Sequence, residues 1–292
     1  RNLLPRLPTR VSVYSRLAVS YPPMPIERQE SKPDRRIPLA GKVVIAWAGL
    51  IVIGTLLLKL PQAADGDPLS WTNALFTATS AVCVTGLSTI EIGTQLSPIG
   101  QVILLALIQI GGLGISTVST FLLIAAGQVS MSQQFEARGA LAAVGVKPIR
   151  LLWWALGITL FLEIAGAAIL YTQFEGADAW WQALFHSVSA FCNAGFSTNS
   201  DSLTGFRDNA VVMVTFMALI VQGGLGFVAL HQLILWAWTR ARGRRFRLFL
   251  HTRVVLMTSV VLWILGTGVF LLFEWNHEFS QMSMRNGVLS AV

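Results

Sequence analysis

Hydrophobic residues in this chain come in long unbroken runs rather than in short alternations. Val43–Leu58, Gly93–Gly127, Asn209–Thr239 and Val254–Phe273 carry no charge, and Leu151–Thr172 carries one, Glu163. A helix needs about 20 mostly apolar residues to cross a bilayer, with a lower limit near 17. Four of the five runs exceed that. The first reaches it over Leu39–Leu60, with Lys42 and Lys59 snorkelling outward. Two shorter segments lie between the runs, Ser70–Ser80 and Ala179–Ser189. Each is helical in pattern but only about ten residues long, roughly 15 Å at 1.5 Å per residue, or half a membrane. Ser70 is placed to cap the first. The pattern predicts span, half-helix, loop, span, with return spans over Leu96–Ala126 and Asn209–Trp238.

That unit is spelled twice. Ser-Ala-x-Cys-x-x-Gly-x-Ser-Thr occurs at Ser80–Thr89 and at Ser189–Thr198, and an offset of 109 aligns the two copies from Trp71 and Trp180 onward. Ten of nineteen positions are identical without a gap, Gly86 matching Gly195 and Cys83 matching Cys192. The return spans share Gly-Gly-Leu-Gly, at Gly111–Gly114 and Gly223–Gly226, with an offset of 112. Val254–Phe273 reads as the outward span of a third unit and Asn286–Val292 as the beginning of its half-helix. The expected organisation is a basic tail (1–40), a first pore unit (41–126), a linker (127–150), a second pore unit (151–239), a basic linker (240–252) and the start of a third unit (253–292).

Composition agrees with a membrane setting. Hydrophobic residues make up 54% and charged ones 12%, about half the charged share of a soluble domain. The net charge of +7 does not point to nucleic acid, because of where the charge lies. Basic residues crowd the tail, Gly127–Arg150 and Arg240–Arg253, whereas acids such as Asp65, Asp67, Glu91, Glu175, Asp178, Asp201 and Asp208 favour the other connections. Excess Lys and Arg beside spans marks the cytoplasmic side, so the N-terminus is expected there. The run Arg240–Arg247 reads as a topology anchor, with anionic lipid or an acidic partner surface as secondary readings. The tail has no hydrophobic core segment after its charges, so it does not read as a secretory signal. A flexible cytoplasmic tail is the expectation.

Irregular backbone is not tolerated against hydrocarbon, because its N–H and C=O groups would be unsatisfied. A half-helix and loop at membrane depth must therefore line a cavity or lie buried in protein. A half-helix entering from outside points its C-terminal end, with roughly half a unit of negative charge, at the membrane centre. That end favours a cation. Gly86 and Gly195 allow backbone angles closed to other residues, and rings of backbone carbonyls replace the hydration shell of K⁺ in known filters. Tight turns between packed helices are the plain alternative, which the match over nineteen positions disfavours.

On these motifs the chain resembles the Trk/Ktr/HKT superfamily of potassium and sodium transporters, over about residues 41–292. Cys83–Thr89 looks like the first filter loop and Cys192–Thr198 like the second. The resemblance implies an all-α membrane protein whose repeated units surround a pseudo-fourfold pore in the plasma membrane. It implies K⁺ binding at the backbone carbonyls of Val84, Thr85, Gly86 and Leu87, and of Asn193, Ala194, Gly195 and Phe196. Glycine at the first loop goes with potassium permeation and serine with sodium preference, so potassium uptake is expected, with Na⁺ coupling left open. A sodium-conducting member of the same superfamily and a non-conducting scaffold are the alternatives. The resemblance also implies a homodimer and a cytoplasmic nucleotide-binding regulatory subunit. It looks more like the Ktr than the Trk type, since no extra spans precede the first unit. The third and fourth loops and the gate-bearing span lie outside this sequence, so the expectation is of a C-terminally truncated chain whose start at Arg1 also leaves the N-terminus open.

Other polar groups carry plainer expectations. Glu163 is the one acid inside a span, with a hydrogen-bonded structural role set against a functional one. His186 stands where the first copy has Thr77 and reads as a packing or hydrogen-bonding variant rather than a proton relay. The cysteines read as small packed side chains behind the loops, and the Gly-Gly-Leu-Gly strings as close helix contacts, with hinges as the alternative. No nucleotide-binding G-x-x-x-x-G-K-[ST] or G-x-G-x-x-G string occurs, and Glu163 and His186 are too few for an enzyme site. The chain is not expected to be an enzyme.

Overall fold

All regular structure among the described residues is helical. The computed structural model describes residues 39–114, 148–244 and 246–274, within the unit Pro38–Val292. The predicted tail, most of the first linker, the last part of the first return span, Arg245 and the third half-helix at 286–292 lie outside them. In chain order the helices are α1 (Leu39–Leu58), α2 (Trp71–Val82), α3 (Ile92–Gln95), α4 (Pro98–Gly112), α5 (Pro148–Tyr171), α6 (Ala179–Phe191), α7 (Ala210–Gly224), α8 (Phe227–Ala241) and α9 (Leu250–Glu274). By length and apolar composition α5 and α9 can cross a membrane, as can α7 and α8 if taken together.

Local sequence fixes the ends. Ser70 Oγ accepts the Asn73 N–H at 3.1 Å and starts α2. Ser97 Oγ accepts the Gly100 N–H at 3.2 Å and starts α4, with Pro98 in the first turn, where its missing N–H costs nothing. Asn209 Oδ1 accepts the N–H groups of Val211 and Val212 and starts α7. The Lys59 ammonium donates to the Leu69 carbonyl at 2.5 Å and lies 5.7 Å from the centre of the Trp71 ring. It is thus tied into the loop that joins α1 to α2.

Each repeat packs its half-helix between an outer and a return helix: α2 between α1 and α4, α6 between α5 and α7. A glycine on each outer helix makes this possible. A Cβ at Gly54 would fall 2.8 Å from Leu107 and 3.4 Å from Ala78, and one at Gly166 would fall 2.6 Å from Ser187 and 2.8 Å from Leu219. Ala78 and Ser187 are counterparts under the 109 offset, and Leu107 and Leu219 under the 112 offset. The repeat written in sequence is therefore a repeat in packing. The two copies share a core cluster, in which Phe185, Val188, Cys192 and Phe196 of the second pack with Ala74, Val82, Leu104 and Ile108 of the first, and a further cluster around Leu170, Val212 and Leu219 belongs to the second repeat.

The second return segment differs from the prediction of one continuous span over Asn209–Trp238. It breaks after α7, and α8 leaves at 109°. The reason is Gly226, at φ +73°, where a helix cannot continue. Its counterpart Gly114, at φ +85°, follows the end of α4 in the first repeat.

Candidate functional site

The site begins at the C-terminal ends of the two half-helices. In α2 the Thr85 N–H bonds the Ser80 carbonyl at 2.8 Å and the Val84 N–H bonds the Ala81 carbonyl at 3.2 Å; in α6 the Ala194 N–H bonds Ser189 at 2.8 Å and the Asn193 N–H bonds Ala190 at 3.0 Å. This crossed pair is the Schellman ending, which requires a left-handed residue just past the helix, most often glycine. Here that residue is Val84 (φ 56°) in one copy and Asn193 (φ 57°) in the other. Asparagine tolerates the conformation; a β-branched valine is strained in it by about 1–2 kcal/mol. Two residues on, Gly86 (φ +79°) and Gly195 (φ +72°) are also left-handed.

The serines of the motif tie each loop down. Ser80 Oγ accepts the Leu87 N–H at 3.0 Å, and Ser189 Oγ donates to the Phe196 carbonyl at 2.7 Å. The serine after each glycine orders the exit: Ser88 Oγ donates to the Ile90 carbonyl at 2.7 Å, and Ser197 Oγ accepts the Asn199 N–H at 3.0 Å. His186 braces the second loop only. Its Nδ1 lies 2.7 Å from the Gln182 carbonyl oxygen and its Nε2 2.9 Å from Ser197 Oγ, which is the hydrogen-bonding role expected of it. Its counterpart Thr77 is buried, with no hydrogen-bond partner for its hydroxyl among the described residues.

The two loops meet. A Cβ on Gly86 would fall 2.8 Å from the Ala194 carbonyl oxygen and 3.2 Å from Gly195 Cα. A cleft of about 190 Å³ opens beside the pair, lined by both glycines, Ser88, Glu91, Thr94 and Ser197 among others. Of the eight residues, Gly86 is thus brought against Ala194 and Gly195, which makes Val84–Leu87 and Asn193–Phe196 neighbouring loops.

The Gly-Gly-Leu-Gly strings support the loops from behind. A Cβ on Gly111 would fall 2.5 Å from the Val82 carbonyl oxygen, and one on Gly223 would overlap that of Phe191. Val82 and Phe191 are the last residues of the half-helices. The first glycines of each string are close contacts, as expected, and the last, Gly114 and Gly226, stand where the helices end. A Cβ on Gly112 would overlap the Cys192 side chain, so the first return helix also abuts the second loop. The cysteines differ: Cys192 is buried as expected, whereas Cys83 is exposed. Gly112 of the first return helix lies against the Cys192 side chain.

Sequence reasoning missed one contact between the repeats. Trp181 Nε1 donates to Gln101 Oε1 at 2.5 Å, and Gln101 Nε2 donates to the Leu96 carbonyl at 3.1 Å. Trp181 aligns with Thr72, so the internal comparison gave no signal for it.

Comparison with known proteins gives the family of the chain. The TrkH model, described as cation transport protein, matches residues 15–286. The chain is 36% identical over 234 residues to the potassium/sodium uptake protein NtpJ of Enterococcus hirae, covering 78% of this chain and 51% of that protein. It is 35% identical over 251 residues to the Ktr system potassium uptake protein B of Vibrio alginolyticus (84% and 54%), and 32% over 235 residues to that of Bacillus subtilis (78% and 51%). The chain spans about half the length of these relatives. Its apolar helices, paired glycine loops and family match lead to one conclusion: this chain belongs to the TrkH family of membrane cation transport proteins.

Proposed function

We propose that the chain supplies two of the filter loops of a potassium-uptake pore, with K⁺ held by the backbone carbonyls of Val84–Leu87 and Asn193–Phe196. The observation that carries this reading is the pair of equivalent left-handed glycines, Gly86 and Gly195, facing each other at the ends of two half-helices. Each half-helix brings a negative pole of roughly half a charge to the same place, and each loop has the glycine needed to turn carbonyls toward one axis. The names of the relatives, potassium uptake or potassium/sodium uptake, support K⁺ as the transported ion and keep Na⁺ as coupling ion or second substrate. In the complete protein, further units close a pseudo-fourfold pore around these loops. Residues 41–126 and 151–239 are the first two units and 253–292 the start of the third. The protein works in the plasma membrane with its N-terminus in the cytoplasm, as a homodimer with a cytoplasmic nucleotide-binding regulatory subunit. The Ktr names of two relatives support that partner.

The test is growth. The complete protein should restore growth at low K⁺ to cells lacking potassium uptake, and replacing both Gly86 and Gly195 by valine should abolish the rescue. Undiminished rescue by the double variant overturns the filter assignment.

A further inference from the structure

Glu163, in α5, is 2% exposed. The Gln109 side chain hydrogen-bonds its carboxylate, and Oε1 lies 3.9 Å from Cys192 Sγ. Its backbone carbonyl accepts Ser187 Oγ at 2.7 Å. The acid is therefore enclosed between the first repeat's return helix and the second repeat's half-helix. Its side-chain partners among the described residues are neutral, with no ion pair.

This is an adverse place for an anion. Cys192 caps the C-terminus of α6, so the carboxylate stands at the helix's negative pole. A buried charge without a counter-charge is costly, and a negative pole beside it adds to the cost. Either a proton on the carboxyl or a cation nearby removes both objections. Nor does the fold call for an acid here. The contacts of Gly54 and Gly166 set the outer helices in register with an offset of 112, which makes Ile51 the counterpart of Glu163. Ile51 is an ordinary apolar side chain, partly buried against the core.

We propose that Glu163 is a fixed anion placed behind the second loop, and that it sets how tightly that loop holds a monovalent cation. The proposal rests on the reading of the loops as a cation filter. Gly195 is three positions on from Cys192, at most about 10 Å of chain. With the 3.9 Å from Cys192 Sγ to Glu163 Oε1 added, a unit charge about 10–15 Å away in an effective dielectric near 20 changes a binding constant by roughly tenfold.

The experiment is K⁺ uptake by the complete protein in proteoliposomes, measured against K⁺ concentration. Glu163→Gln should raise the half-saturating K⁺ concentration about tenfold with less than a twofold change in maximal rate. Glu163→Asp, which keeps the charge, should stay within about twofold of the unsubstituted protein. Glu163→Ile, the residue of the first repeat, should behave as Glu163→Gln and guards against a fault peculiar to glutamine. Unchanged half-saturation in both neutral variants overturns this proposal and leaves the filter reading intact. Loss of folded protein in both, by size-exclusion chromatography, with Glu163→Asp folded, makes the acid structural and also overturns it. If the unsubstituted protein takes up no cation, both readings fall.

Discussion

Gly86 and Gly195 touch backbone to backbone: a Cβ on Gly86 would lie 2.8 Å from the Ala194 carbonyl oxygen and 3.2 Å from Gly195 Cα, and one on Gly195 would be tight, 3.1 Å from Gly86 Cα. The obstacle on both sides is backbone, which cannot swing away as a flexible side chain can. Both residues are also left-handed, which adds about 1–2 kcal/mol for any L residue. Gly86→Ser combines these penalties at the point where the loops meet. It is expected to raise Na⁺ uptake relative to K⁺ at least severalfold, measured as the ratio of ²²Na⁺ to ⁸⁶Rb⁺ uptake by the complete protein. An unchanged ratio would count against a role for this glycine in selectivity.

Val84 holds the left-handed position that Asn193 holds in the second copy. Strain of this kind persists only where the surrounding structure fixes it, here through the crossed hydrogen bonds to Ser80 and Ala81. Val84→Asn should release about 1 kcal/mol of it. The expected result is a rise of a few degrees in the melting temperature of the purified full-length protein. A fall would mean that the Val84 side chain contributes more by packing than its backbone loses.

How far the sequence foretold these features depends on the physical kind of each. The spans and half-helices were legible because burial in lipid imposes long uncharged runs, and Ser70 was legible as a cap because hydroxyl caps precede such runs. The glycine strings were legible as contacts because they recur. The left-handed turn at Val84 was not, since valine is among the residues least expected there and only the crossed hydrogen bonds enforce it. The break at Gly226 was missed because the residues on either side of it are equally apolar, so hydropathy runs through the bend. Of the candidate filter residues, the glycines stood out by identity between copies, while their mutual approach depends on packing between repeats that no single-chain pattern records.

The Trp181–Gln101 pair joins the repeats near the start of the second half-helix. Gln101 is 8% exposed, so removal of its donor leaves a buried acceptor unpaired, at a cost of about 1–3 kcal/mol. Trp181→Phe should therefore destabilise the full-length protein by that amount, while Gln101→Leu combined with it should be less harmful than the two single changes added together. A double-mutant cycle on melting temperature measures the coupling, expected at about 1 kcal/mol. Strict additivity would show that the bond does not hold the repeats together.

Glycine-to-alanine changes separate contact glycines from idle ones. A Cβ at Gly223 would overlap the Phe191 carbonyl oxygen, a backbone atom at the end of the half-helix, so Gly223→Ala must push α7 away from the second loop. Overpacking of this kind costs about 1–3 kcal/mol or more. Gly49, in α1, meets nothing within 4 Å among the described residues and has ordinary helical geometry. There alanine gains the better helix propensity, up to about 1 kcal/mol. The same substitution should thus lower the melting temperature at Gly223 and leave it unchanged or higher at Gly49. K⁺ uptake should fall at Gly223 alone, because only that change displaces a loop. Equal effects at the two sites would mean that the close approach of α7 to α6 is not what holds the second loop in place.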